Sequence, residues 1–278
     1  MHRRHLMGEI KRIMLATDGS EYSHGAEREA MFIASSCGID VTVIQVLEVN
    51  PEFETEGQKQ VELMEYRARG HFDRIRECCT ERNVECRSII RRTNKPYEAI
   101  IEEAKRLDID VIVMGRRGNT GLRKILMGSI TERVIAYAPC KVLVVPKDAE
   151  IRGEQILIAT DGSAYARLAE DEALSMAKRC DKVRTVIAMC VARTADRKSW
   201  AQDNVERVRR MGEERGIRVT PVALVGRPYH EIVETARRED VDFIVVGRIG
   251  KTGFKRILMG SVSEKIVALS PCAVLIVR

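Results

Sequence analysis

Aromatic residues make up only 4% of the 278-residue chain, with a single tryptophan, Trp200. That scarcity removes the stacking platforms by which proteins hold single-stranded nucleic acid. Charge of one sign is not in large excess either. There are 47 Lys and Arg against 41 Asp and Glu, a formal charge of +6, which is a mild bias and not the footprint of a nucleic-acid binder. No apolar run approaches the ~18 residues needed to cross a bilayer, and the start, MHRRHLMGEIKR, has basic residues without the apolar segment of a secretory signal. A cytoplasmic protein with neither nucleic acid nor membrane as partner is expected. The eight cysteines, at 37, 78, 79, 86, 140, 180, 190 and 272, include no C-x-x-C pair and no paired histidine spacing, so no metal site or redox motif is legible. Ordinary thiols are expected, with the grouping of Cys78, Cys79 and Cys86 left without a role. Two common phosphate-binding signatures, G-x-x-x-x-G-K-[ST] and G-x-G-x-x-G, occur nowhere, which excludes a Walker loop and a dinucleotide fingerprint.

What is present is duplication. RIMLATDGSEYS at 12–23 matches QILIATDGSAYA at 155–166, and KPYEAIIEEAKRLDIDVIVMG at 95–115 matches RPYHEIVETARREDVDFIVVG at 227–247. APCKVLVV at 138–145 answers SPCAVLIV at 270–277. The length suits two domains of roughly 130–140 residues, and 45% hydrophobic with 32% charged residues lets each bury a core beneath a polar surface. PKDAEIRGE at 146–154, polar residues bracketed by proline and glycine, is read as the linker. The expected domains are 8–147 and 153–278.

Within a half, short β-branched runs alternate with stretches of helical spacing. Strands are expected near 11–17, 41–47, 84–90, 109–114 and 141–145. Val61, Met64, Ala68, Phe72, Ile75 and Cys79 form one apolar helical stripe facing a sheet. Strands that are apolar throughout, such as DVIVMG and KVLVVP, suit a parallel sheet covered on both faces. The fold class is therefore α/β, two tandem doubly wound domains. Ligands of such sheets sit beyond the carboxyl ends of the strands, where both ATDG stretches and both glycine loops begin.

The loops are MGRRGNTGLRKILMGS at 114–129 and VGRIGKTGFKRILMGS at 246–261, each with four glycines, four basic residues and no carboxylate. Glycine lets backbone N–H groups approach an anion, and a helix start adds unsatisfied donors and partial positive charge. Arg116, Arg117, Arg123 and Lys124, with Arg248, Lys251, Lys255 and Arg256 in the second loop, are expected to raise the potential there. Ser129 with Glu132 and Ser261 with Glu264 read as S-x-x-E capping boxes. Glycines serving tight turns alone are the simpler alternative, but Gly115, Gly118, Gly128 and Ser129 are matched position for position by Gly247, Gly250, Gly260 and Ser261. A phosphate cradle in each half is the better expectation. His24 and His230 lack counterparts and are read as solvated or capping, and Trp200 is read as packing.

The pattern G-x2-G-x9-G-S after an apolar strand resembles the ATP-binding signature of the universal stress protein family, and the resemblance spans nearly the whole chain. It implies a Rossmann-like five-stranded parallel sheet in each half, with the halves paired through their last strands as an intramolecular pseudo-dimer, a further homodimer being left open. It implies ATP, or ADP or AMP, as ligand, with Mg²⁺ carried by the phosphates, and an unknown protein partner. By the same resemblance Asp18 and Asp161 lie beside the ribose or a phosphate-bound metal, their alternative being an Asx turn before Gly19 and Gly162. Val46 and Val191 offer backbone groups to adenine. Gly115 and Gly247 approach the ribose, and Gly118, Gly128, Ser129, Gly250, Gly260 and Ser261 hold phosphates. One departure is Asn94 where the second half has Gly226; both residue types tolerate left-handed backbone. Hydrolysis needs a group to orient water, and the loops contain no Asp, Glu, Gln or His, so binding without catalysis is expected. An ATP-cleaving or adenylyl-transferring enzyme and a nucleotide-free scaffold are the alternatives.

Overall fold

Strand and helix alternate through both halves of the structure, a computed structural model that describes residues 10–49, 58–118, 127–249 and 259–278. The first half runs β1 (Ile13–Ala16), α1 (His24–Cys37), β2 (Val41–Glu48), α2 (Gln58–Glu81), β3 (Cys86–Thr93), α3 (Pro96–Arg106), β4 (Val111–Gly115), α4 (Ser129–Tyr137) and β5 (Lys141–Val145). The second repeats it as β6 (Gln155–Ala159), α5 (Ala164–Arg179), β7 (Thr185–Ala192), α6 (Lys198–Glu213), β8 (Val219–Val225), α7 (Pro228–Arg238), β9 (Phe243–Gly247), α8 (Ser261–Leu269) and β10 (Ala273–Val277).

All ten strands form one sheet in the order β3-β2-β1-β4-β5-β10-β9-β6-β7-β8. Each set of five is parallel, and the halves meet where β10 runs antiparallel to β5, with Val274 opposite Val144 and Ile276 opposite Val142. The last strands thus cover each other's edges, which would otherwise be exposed apolar ladders. The outer edges, β3 and β8, carry arginines and Pro221, the residues that edge strands tolerate.

Alternation along the central strands explains why they are apolar throughout. Ile13, Leu15, Val111 and Val113 face a core shared with α1, α2, α5 and α6, while Met14, Ala16, Ile112 and Met114 face a second core on the opposite side. Side chains at successive strand positions point to opposite faces, and helices cover both. On α2, Ala68, Phe72, Ile75 and Cys79 are buried and Val61 and Met64 half-buried. The third strand lies further along the chain than 84–90. Val84 instead closes the end of α2, its N–H donating to Cys79 O at 2.9 Å beside Asn83 with φ of 54°, and the ladder with Val46, Leu47 and Glu48 extends β3 to Thr93.

Residues 146–154 pack against the first half. Ile151 is buried, Arg28 donates to Ala149 O, and a Cβ on Gly25 would lie 2.8 Å from Lys147 O. Glycine at this position lets α1 pass directly over the chain leaving β5.

Candidate functional site

In each half the connections from the two middle strands leave in opposite directions, so β1 and β4, like β6 and β9, flank a crevice at their carboxyl ends. The loop after β1 is built as an Asx turn. Asp18 Oδ1 accepts from Ser20 N at 3.0 Å and from the hydroxyls of Ser20 and Ser23, both at 2.7 Å. Asp161 Oδ1 accepts from Ser163 N at 3.0 Å. The following glycines, Gly19 and Gly162, have φ of 72° and 68°, the left-handed region that glycine occupies without penalty.

A buried brace lies behind each turn. Thr17 Oγ1 donates to Glu27 Oε1 at 2.6 Å and accepts from Gly19 N at 3.1 Å. In the second half Thr160 Oγ1 donates to Glu170 and accepts from Gly162 N at 3.1 Å. The two carboxylates differ in their partners. His71 Nε2 lies 3.0 Å from Glu27 Oε1, whereas Arg207 holds Glu170 with two bonds of 2.6 and 2.7 Å. Burial pushes the Glu27 carboxyl up, but its contacts with His71 and Thr17 outweigh that and hold it below the ordinary carboxylate value. The sequence signal for this brace is the recurrence of A-E-x-E-A at 26–30 and 169–173.

The glycine loops have matched bases. Gly128 N donates to Arg116 O at 2.9 Å and Gly260 N to Arg248 O at 3.0 Å. Thr131 Oγ1 donates to Gly115 O at 3.0 Å and Ser263 Oγ to Gly247 O at 2.9 Å, so a buried hydroxyl in the first turn of α4 or α8 ties the helix to the strand that precedes the loop. The expected capping boxes are not formed. Gly128 and Gly260 are the N-caps and neither helix has a side-chain cap bond, because Ser129 and Ser261 fall one residue inside the helix, where a hydroxyl cannot reach back over the first turn's amides. The first N–H groups of a helix have no intrahelical acceptor, and here no cap side chain covers them.

Arg116 and Arg248 do not serve their own loops as expected. Arg116 Nη1 donates to Ser270 O at 2.8 Å, and Arg248 Nη1 donates to Ala136 O. Each therefore crosses to the other half and meets carbonyls at the end of its α8 or α4, where a helix favours positive charge. Burial pushes the Arg116 guanidinium down from its ordinary value, and neighbouring Arg117 adds to the effect.

In the second half the expected residues converge. Asp161, Val191, Gly247, Gly260 and Ser261 line one cavity of about 190 Å³. Its apolar wall includes Ile232, Val246 and Ile266, and its mouth carries Arg193, Arg197 and Trp200, with the Arg197 guanidinium 5.2 Å from the centre of the Trp200 ring. Trp200 thus packs against the core and also presents a face to the cavity. These three mouth residues were not expected; none has a like residue at the matching place in the first half, so the repeat could not flag them. In the first half Asp18 and Gly118 come together, a Cβ on Gly118 lying 2.7 Å from Asp18 Oδ2. Gly115 abuts the backbone at Tyr22, as Gly247 abuts Tyr165. Val46 is half-buried at the end of β2, and Ser129 is exposed at the start of α4. Gly250, Arg123, Lys124, Lys251, Lys255 and Arg256 lie outside the described residues. Among the described residues no group of three or more His, Cys, Asp or Glu is placed to hold a metal ion, and no helix is long and apolar enough to cross a membrane.

A family model described as the universal stress protein family matches residues 9–146 and again 154–278. A universal stress protein of Methanocaldococcus jannaschii is 34% identical over 139 residues, 45% of this chain and 82% of that protein. One from Synechocystis is 22% identical over 97% of this chain and the whole of its own length. The crystal structure of a universal stress protein from Archaeoglobus fulgidus superimposes with a TM-score of 0.78 at 21% identity, covering 97% of this chain and 99% of that one, a likeness of fold that includes the tandem arrangement.

Proposed function

The chain belongs to the universal stress protein family, and from that premise we propose that it is a cytoplasmic stress-response module that binds an adenine nucleotide in each half and passes its occupancy to a protein partner. The observation that carries this reading is the convergence of Asp161, Val191, Gly247, Gly260 and Ser261 on one cavity. They arrive from four places in the fold: the turn after β6, the end of β7, the end of β9 and the start of α8. The wall of Ile232, Val246 and Ile266 suits a base and ribose, and Trp200 offers a ring on which a base stacks. The uncapped start of α8, with Gly260 admitting close approach, suits phosphates. Asp161 would meet ribose hydroxyls or a Mg²⁺ carried by the phosphates. Asp18, Val46, Gly115, Gly118, Gly128 and Ser129 would take the same roles in the first half.

Binding without turnover is the preferred form of this proposal. Among the described residues that line the cavity there is one carboxylate, Asp161, and one of its oxygens already accepts from Ser163 N. Steady ADP release that disappeared in Asp18→Ala with Asp161→Ala would favour the enzyme instead.

The test is calorimetric titration of the full chain with ATP and Mg²⁺, against Gly128→Asp with Gly260→Asp. Among the described residues a Cβ on Gly128 would meet nothing nearer than 3.6 Å, and both glycines have ordinary φ, −73° and −69°, so the new carboxylates probe charge at the cradle more than folding. Saturable binding by the parent and none by the variant, at unchanged circular dichroism, is expected. Nucleotide at 100 times its dissociation constant should also add about 2.7 kcal/mol of stability. A variant that binds as tightly as the parent refutes the cradle, and a parent without saturable binding leaves only the scaffold.

A further inference from the structure

The two halves are not equally charged around their nucleotide crevices. Beside the second-half cavity lies another of about 280 Å³, lined by Arg193, Arg227, Pro228, Tyr229, Ser261, Val262 and Lys265. Arg193, Pro228, Ser261 and Val262 line both cavities, so the two are continuous at the start of α8. Gly226 N donates to Ala192 O at 2.9 Å, which fixes the segment bearing Arg227 against the end of β7 next to Arg193. Lys265 Nζ sits 4.7 Å from the centre of the Tyr229 ring. None of the three cations forms an ion pair among the described residues.

The matching positions in the first half are Glu48, Lys95, Tyr97, Ile130 and Arg133, and Glu98 stands where the second half has His230. Lys95 Nζ is 3.4 Å from Glu98 Oε2, Tyr97 Oη donates to Glu98 Oε1 at 2.8 Å, and Arg133 lies over the Tyr97 ring at 5.0 Å. The first half therefore balances two cations with two carboxylates, one of them locked to Lys95. The second half keeps both cations, replaces one carboxylate with Arg193 and the other with His230. The neighbouring carboxylate of Glu231 turns toward His230 Nδ1 at 3.4 Å and Gly226 and is not among the described residues that line this cavity.

We propose that the second half alone carries an anion subsite, formed by Arg193, Arg227 and Lys265, that receives a phosphoryl group extending beyond the nucleotide cavity. The ligand class is an adenine nucleotide with more phosphate than AMP or ADP, the extra group lying either at the end of a lengthened 5′ chain or on the ribose 3′ oxygen. The two crevices are thereby given different ligand preferences from one duplicated design. This rests on the reading of the second-half cavity as a nucleotide site.

The experiment is a calorimetric ladder on the full chain with AMP, ATP, adenosine 5′-tetraphosphate, adenosine 3′,5′-bisphosphate and inorganic tripolyphosphate, repeated with Arg227→Glu plus Lys265→Gln, two residues that line the second cavity and not the first. These side chains are exposed, so the fold should survive. Glu48→Arg in the first half serves as the reciprocal variant. The parent should bind at least one of the phosphate-extended nucleotides roughly tenfold or more tighter than AMP, with the gain shrinking as salt rises. The double variant should lose the gain while keeping its AMP affinity, and Glu48→Arg should create a second tight site. A gain from the tetraphosphate places the extra group at the chain end, and one from the bisphosphate places it on the ribose. A ladder unchanged by the double variant overturns the subsite and leaves nucleotide binding standing. Tripolyphosphate binding lost in the double variant, with no nucleotide bound by either protein, upholds the subsite and refutes the nucleotide reading.

Discussion

Removing the Arg207 guanidinium tests whether the turn that carries Asp161 is held in place from behind. Glu170 has a side chain that is 0% exposed, and Arg207, at 27%, supplies its only charged partner among the described residues through two bonds. Arg207→Met preserves most of the aliphatic stem and leaves the carboxylate with Thr160 alone. Breaking a buried pair from one side costs about 3–5 kcal/mol, because a desolvated charge is left without compensation. The melting temperature should fall by roughly 6 °C or more. Replacing both partners, with Glu170→Leu and Arg207→Met, removes the orphaned charge and should recover a large part of that loss. Differential scanning calorimetry on parent, both single variants and the double completes the cycle. Nucleotide affinity should fall with Arg207→Met, because Thr160 lines the cavity and is oriented by Glu170. A cost under about 1 kcal/mol for Arg207→Met, the range of an exposed ion pair, or a double variant destabilised by the sum of the singles would show that the turn is not held from behind.

In the first half the same brace is pH-dependent. Glu27 is held below its ordinary value of 4.5, so its contribution is complete above pH 4.5 and lost as pH falls through the lower folded value; Glu27→Gln should flatten the acid limb of urea stability against pH, and an acid limb as steep as the parent's would refute this. Arg116→Ala and Arg248→Ala each remove a charged donor from the helix end of the other half, and each should lower stability by about 1–2 kcal/mol. The urea midpoint should move without a change in slope, and a midpoint equal to the parent's would show that the crossings contribute nothing. Among the thiols, the neighbouring Cys79 side chain holds Cys86 down at about 7 against the effect of burial, while burial pushes Cys140 up to about 12 and Cys272 up to about 11. Alkylation by iodoacetamide, followed by mass spectrometry, should therefore rise at Cys86 as pH passes through 7 while Cys140 and Cys272 stay unmodified; equal labelling of all three at pH 7 would contradict it.

The fold was legible because its two signals are local and repeated. Apolar runs such as VIVMG and FIVVG need cover on both faces, and the twofold recurrence of every segment ties the halves to one architecture. The glycine positions were legible for the same reason. What escaped was whatever depends on contacts distant in sequence or on a difference between the halves. Arg116 reaches Ser270 across a boundary that its own loop gives no hint of. Ser129 looks like a cap beside Glu132, yet the tie between Gly128 N and Arg116 O sets the helix start one residue earlier, and Thr131 takes the tethering role. A repeat directs attention to what is conserved between its copies, and so it conceals Arg193 at the place of Glu48 and His230 at the place of Glu98. Those exchanges change only charge, on a backbone that stays the same. Duplication kept the geometry of the crevice twice, and substitution at its rim is the means by which one crevice can come to hold a different ligand from the other.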